Sequence, residues 1–237
     1  MSDLVVNLES VEEINERIDM PGEDPLARIT RLAGKLRTRW LGWTYPFVSF
    51  GEGTWAHYSF HVDRRAARYI SIGREVAFAR DSRLEVLPDS NTDSPKIILE
   101  DGSGLQRRCV ISSRNRVHVM RNVIFGPSVL VTDCWSDTGF EGQSVDWKQE
   151  HRGGTVRIEE DCWIGSGAVI GCEQGELVIG RHSVIGANSV ITRSIPPYSV
   201  VVGNPARVVK QYDFSKEKWV LGSARSMNNR SQHQGAL

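Results

Sequence analysis

The chain of 237 residues lacks an apolar run near the roughly 18 residues that a membrane span requires, so a spanning helix is not expected. It also lacks net charge. Its 29 Lys and Arg balance 29 Asp and Glu, and no global field selects nucleic acid or an acidic partner. Cysteine is scarce. Cys109, Cys134, Cys162 and Cys172 form no CxxC pair, which argues against a zinc finger and a disulfide-stapled scaffold. The opening Met-Ser-Asp-Leu-Val-Val-Asn has no basic stretch of the kind that begins a secretory signal, and a cytoplasmic location is expected. What is present is an ordinary globular mixture, 40% hydrophobic and 24% charged, long enough to bury a sizeable core.

Within that mixture, aliphatic or aromatic residues recur every six positions. The runs are Ile72-Phe78-Leu84, Leu99-Leu105-Ile111-Val117, Val119-Phe125-Val131, Ile158-Ile164-Ile170 and Ile179-Ile185-Ile191. Four residues after these leads stand small or β-branched side chains, among them Val76, Ser82, Cys109, Val123, Cys162 and Ser183. A helix repeats at 3.6 residues and a strand at 2, so neither yields a strict period of six. A very short strand followed by a tight corner does. The lead points into a narrow interior and the small residue fills the corner. Gly73, Gly126, Gly165, Gly180 and Gly186 directly follow their leads, where a compact corner is expected to tolerate glycine best. Three such units close one triangular turn of about eighteen residues, and turns stack at the strand spacing of roughly 4.8 Å. The expected fold is therefore all-β, a parallel β-helix in the form of a triangular prism.

The repeat has interruptions and ends. Leu87 to Lys96 reads as a polar loop, and 133–155 is a long excursion containing Trp135, Trp147 and His151. Gly171 to Val178 carries a few residues too many. Asp24-Pro25 reads as the start of a helix with Leu26, Ile29, Leu32, Leu36 and Trp40 on one face, and Arg28, Arg31, Lys35 and Arg39 make it basic. That helix is expected to cap the open end of the solenoid, or to touch the inner face of a membrane or a lipid-linked substrate. Asp213 to Leu221 is expected to form a short C-terminal helix docking Trp219, and Ser223 to Leu237 to fray. The expected division is a helical cap over 1–50, a β-helix over 51–210 with excursions at 87–96 and 133–155, and a tail over 211–237.

The stretch from Ile158 to Lys210 resembles the left-handed β-helix, or hexapeptide-repeat, acyltransferases. The likeness is greatest to the sugar O-acetyltransferases of polysaccharide biosynthesis. It rests on Cys162-Trp163-Ile164-Gly165, on Ile185-Gly186-Ala187-Asn188-Ser189-Val190-Ile191-Thr192, on Pro197-Tyr198 and on Gly203-Asn204-Pro205-Ala206. The resemblance implies a left-handed helix and a homotrimer with acetyl-CoA along the groove between subunits. It implies that Gly186 and Ala187 bind the pantetheine arm, that Trp163 flanks the groove and that Arg207 and Lys210 meet the phosphates. No metal and no nucleic acid are implied.

Acetyl transfer to a hydroxyl needs a general base, because the hydroxyl gives up its proton only as it attacks the thioester. The related O-acetyltransferases carry that base in a pattern like Asp-His-Asp-His. Here the place reads Asp133-Cys134-Trp135-Ser136, so Asp133 matches and joins the expected catalytic set, while both histidines are absent. Two substitutes stand nearby in sequence. His118 lies eighteen residues, or one unbroken turn, before Ser136, and His151 lies in the excursion beside Gly153 and Gly154. The sequence thus points to an acetyl-CoA-dependent O-acetyltransferase acting on a sugar or a lipid-linked glycan. The alternative is a non-catalytic trimer that binds CoA or serves as a scaffold. A zinc carbonic anhydrase of this architecture is disfavoured, because the six histidines lack a short-spaced ligand pair.

Overall fold

The computed structural model describes residues 25–87, 95–134 and 153–221. His151, Ser136, Trp135, Trp147, Asp24, most of both excursions and the segment 223–237 lie outside the described residues. The chain forms a left-handed parallel β-helix. Each coil lays down one short strand in each of three sheets, and successive coils pair in parallel. The first sheet runs from Ser49–Phe50 through Ile70–Ile72, Ile97–Leu99, Arg116–Val119 and Thr155–Ile158 to Glu176–Ile179. The second contains Trp55–Ala56, Ala77–Phe78, Gly104–Leu105, Ile124–Phe125, Trp163–Ile164 and Val184–Ile185. The third runs from His61–Val62 to Val190–Ile191.

The hexad leads are the core. Ile72, Phe78, Leu99, Phe125, Ile164 and Ile185 are all sealed inside the prism, as are the small residues at the corners. Small size is not the only demand there. Ser82 Oγ donates to Ala79 O at 2.7 Å, and the Cys109 and Cys162 thiols reach Gly126 O and Gly180 O at 3.1 and 3.3 Å. A short side chain with a donor thus fills the corner and also bonds a corner carbonyl, which in the case of Ala79 O is shared with Ser82 N. Phe60 departs from the rule. It fills its corner in the first coil by stacking on Phe78, with ring centroids 4.3 Å apart.

The glycine corners are compact through contacts between coils, not through backbone conformation. The left-handed conformation falls three residues after the lead, at Glu75, Asp81, Arg108, Asn122, Asp161, His182 and Asn188 among others. Gly73, Gly126, Gly165, Gly180 and Gly186 do not have positive φ. They are required by space. A Cβ on Gly165 would stand 2.7 Å from Ala187 N and Ile185 O, and one on Gly126 would stand 2.7 Å from Ser166 N. The backbone of the next coil passes where a side chain would begin.

Both ends of the stack are covered, by different means. The helix α1 (Pro25–Thr44) lies on the first coil with Gly34 and Leu41 buried against it. The first coil has an unpaired strand edge, a liability in any sheet. Thr38 Oγ1 answers it by accepting from Ala56 N at 2.9 Å while donating to Gly34 O at 2.8 Å. Trp40, Tyr45, Phe47 and Phe50 then continue as a chain of ring contacts into the prism, with the Arg37 guanidinium 4.7 Å above the Trp40 ring. At the other end the expected C-terminal helix is absent. Ala206–Asp213 and Lys218–Leu221 are antiparallel strands added to the second sheet after Ser199–Gly203. Alternating Ala206, Val208 and Tyr212 half-bury one face of the ribbon, and an Asp213 turn held by Ser215 and Lys216 reverses it. Gly203, at φ +103, makes the preceding reversal, which no residue with a Cβ adopts readily.

Candidate functional site

The edge between the second and third sheets changes character along the prism. It carries His57-Tyr58, Ala79-Arg80 and Gln106-Arg107 in the early coils, then Gly126-Pro127, Gly165-Ser166 and Gly186-Ala187. In the later coils the residue after each lead has no side chain of its own, and Gly165 and Gly186 are half-buried. Ser166 and Ala187 are exposed, and no hydrogen bond to another described residue takes up their amides. Trp163 projects from the adjoining second sheet, 39% exposed, in register with Ile124 on one side and Val184 on the other. The result is an apolar shelf beside a strip of outward amides. Such a surface suits a long, thin ligand with its own amide groups and an apolar stretch.

Arg207 and Lys210 sit further on, in the antiparallel ribbon. Both are exposed, and Arg207 Nη1 donates to the adjacent Ala206 O at 2.8 Å. The ribbon continues the second sheet, so these cations share the side of the molecule that carries Trp163.

The acid–base candidates lie elsewhere. His118 is on the first sheet, in register with Ile98 and Arg157, and its Nε2 stands 2.7 Å from Glu100 Oε1. Both side chains are about a quarter to a third exposed, 26% and 31%. The rung beyond His118 is occupied by Arg157 rather than by Ser136, because the chain leaves the prism after Thr132 and re-enters at Thr155. The unbroken turn expected from His118 to Ser136 is interrupted by that exit. Asp133 is wholly buried and fully engaged. It accepts from Ser113 Oγ at 2.7 Å, Arg114 N at 2.7 Å and Asn115 N at 2.8 Å. Asn115 Nδ2 in turn donates to Gly153 O at 2.6 Å, and Gly154 N donates to Asp133 O at 2.8 Å. Asp133 therefore ties together the two ends of the excursion, which is a structural task. His118, Asp133 and the glycine edge do not converge within one chain.

Several residues were missed by sequence reasoning. Glu100 is one: it lies just past the rung partner Ile98, and only the stacking of coils brings it to His118. His57 is buried at the early part of the glycine edge, with Nδ1 2.8 Å from Ser59 Oγ and its ring 4.3 Å from that of Tyr58. Burial, with the charge of Arg80, holds its imidazole below the usual value. His182 faces Asp161 at 3.7 Å and stacks on Tyr198 at 4.9 Å. Burial raises the Cys109 and Cys162 thiols to about 11 and about 12, and raises Cys134 to a lesser degree. Among the described residues no three His, Cys, Asp or Glu side chains are grouped to hold a metal, and no helix is long and apolar enough to cross a membrane.

The class that fold and repeat define is the hexapeptide-repeat β-helix. Residues 155–193 and 176–208 match the family model described as the hexapeptide repeat of succinyl-transferase. Within that class the relatives bear acetyltransferase names, which supports the acyltransferase family resemblance seen in the sequence. The galactoside O-acetyltransferase of Lactococcus lactis is 34% identical over 106 residues, 43% of this chain and 46% of that protein. A Schizosaccharomyces pombe protein with an acetyltransferase name is 29% identical over 97 residues, 41% of this chain and 44% of its own. The chain thus spans less than half the length of these curated relatives. Among solved structures, AntD, an N-acyltransferase from Bacillus cereus in complex with dTDP and 3-hydroxybutyryl-CoA, superposes with a TM-score of 0.61. The match covers 77% of this chain and 90% of that one at 16% identity, a likeness of fold.

Proposed function

We propose that the chain is an acetyl-CoA-dependent O-acetyltransferase acting on a sugar or glycan hydroxyl in polysaccharide biosynthesis, and that it works as a homotrimer. The observation that carries this reading is the glycine-lined edge with Trp163 beside it. The pantetheine arm would lie along Gly165, Gly186 and Ala187, its amides meeting the outward amides of Ser166 and Ala187. Arg207 and Lys210 would face the phosphates. The names of the relatives support the same chemistry.

The reaction asks for one proton acceptor. With Glu100 Oε1 accepting from His118 Nε2–H, the carboxylate holds the ring and leaves Nδ1 to take a proton. The acceptor oxygen attacks the thioester carbonyl as its proton passes to Nδ1. The C–S bond then breaks, and the departing CoA sulfur takes that proton back. His118 stands on the first sheet and the glycine edge joins the second and third, so the two halves meet only between subunits. The outward row Val110, Leu130, Val169 and Val190 on the third sheet is an apolar face suited to such contact. His151 is the second candidate base and is tested beside His118.

The test combines calorimetric titration with acetyl-CoA, sedimentation, and acetyl transfer to a panel of sugars. Wild type should sediment near three times 26.5 kDa, bind acetyl-CoA and release CoA only with an acceptor. His118→Ala should lower turnover by about 10²–10⁴-fold with acetyl-CoA affinity retained. A wild type that binds no acetyl-CoA defeats the reading. Unchanged turnover in His118→Ala and His151→Ala defeats the base assignment. Binding without transfer to any acceptor favours the non-catalytic trimer, which the absence of histidine at Cys134 and Ser136 supports.

A further inference from the structure

The helix α1 uses one face against the prism and leaves the opposite one uncovered. Gly34, Thr38 and Leu41 face the first coil. Ile29, Leu32, Leu36 and Trp43 are 63%, 59%, 62% and 87% exposed and fall on the other side at helical spacing. Lys35 and Arg39 run alongside them, and both are exposed. The helix holds five basic residues and no acidic one. A continuous exposed stripe of this kind marks an interaction surface rather than scattered surface apolar residues.

The segment before the helix is its complement. Residues 1–24 hold eight acidic residues and one basic residue. Leu4, Leu8, Val11, Ile14 and Ile18 recur at steps of three and four, with Glu9, Glu12, Glu13 and Glu16 between them. In helical form Leu4 to Ile18 would extend about 21 Å, the same reach as Ile29 to Trp43 at about 1.5 Å per residue. Pro21-Gly22 lies between the two stretches and suits a short reversal. We propose that residues 4–18 pack as an acidic amphipathic helix antiparallel along α1, covering the stripe of Ile29, Leu32, Leu36 and Trp43 with Lys35 and Arg39 facing their carboxylates.

Two other occupants are chemically conceivable, an anionic membrane and a second copy of the chain. The tethered segment is favoured over both. Its short link holds it at an effective concentration on the order of millimolar. Its acidic charge matches the basic helix, whereas it would repel an anionic lipid surface.

Hydrogen exchange of the full chain, read by mass spectrometry on peptides spanning residues 4–18, tests the proposal. Amides in this segment should exchange at least about tenfold more slowly than in an unstructured chain. Leu36→Asp should remove that protection while leaving the prism amides unchanged, since Leu36 does not face the core. Lys35→Glu with Arg39→Glu should weaken the protection, and adding Glu9→Lys, Glu12→Lys, Glu13→Lys and Glu16→Lys should restore it. Exchange at the unstructured rate in the wild type overturns the proposal. So does failure of the combined reversal to restore protection. Co-sedimentation of the wild type with phosphatidylglycerol vesicles, lost in Leu36→Asp, would place a membrane on the stripe instead. A lower sedimenting mass in Leu36→Asp than in wild type would place a second copy there.

Discussion

The edge between the second and third sheets is built differently in its early and its later coils. Where the second sheet meets the third, the early coils carry His57, Ala79 and Gln106 after their leads, and the later coils carry Gly126, Gly165 and Gly186. Beyond the first coil, where Ala56 and Phe60 reverse the sizes, the interior keeps one pattern, an aliphatic or aromatic lead per strand and a small residue in the corner. Only the exterior of the corner changes. The early edge carries side chains after its leads and bears Arg80, Arg107 and Arg108, while the later edge has glycine at those places and Trp163 beside it. The core pattern builds the prism, and the residue just outside each corner decides what the prism presents. The family match over residues 155–208 falls on the glycine-bearing part of the edge.

The largest effect separating the halves should come from adding side chains to that edge. Gly165→Val places atoms against Ala187 N and Ile185 O, which are backbone and do not swing away. Its melting temperature should fall by about 10 °C or more, or the chain should fail to fold in soluble form. Gln106→Val occupies the equivalent corner position in an early coil, and its melting temperature should stay within a few degrees of wild type. Equal tolerance at both positions would erase the distinction between the halves.

A middle-sized effect belongs to the neck of the excursion. Asp133→Ala leaves the amides of Arg114 and Asn115 without their acceptor, at about 1–3 kcal/mol for each buried group. Denaturant unfolding should register that loss, while acetyl transfer from the remaining folded protein continues. Abolished transfer in a stable Asp133→Ala protein would return Asp133 to the catalytic set.

The smallest effect should be the pH dependence carried by His57 in the covered half. Its imidazole is held below the ordinary value of 6.5, so the folded state keeps it neutral where the unfolded chain has begun to bind a proton. Stability from this group is present above pH 6.5 and declines as pH falls toward the folded value. In His57→Gln the slope of melting temperature against pH should flatten between about 6.5 and 5. An unchanged slope would assign the acid sensitivity to other groups.

The prism was legible in the residues because its period is set by local geometry repeated many times. A lead such as Ile164 and a corner residue such as Cys162 each satisfy one short-range rule. Five phased runs exclude helix and ordinary sheet. The C-terminal ribbon was not legible. Tyr212, Phe214 and Trp219 suit a helix or a strand, and the open end of the second sheet settles the matter by offering unpaired backbone to join. The glycine corners were legible as compact places, whereas the approach of Ala187 to Gly165 is a contact between coils that only stacking creates.

By itself the sequence determined the period, the inward set and the family motifs, because each depends on residues close together in the chain. Only the tertiary structure decided the pairing of His118 with Glu100, the burial of Asp133 and the separation of His118 from the glycine edge. Those relations arise when coils stack. Stacking brings residues about one turn apart into contact, and the break at the excursion shifts every register that follows it.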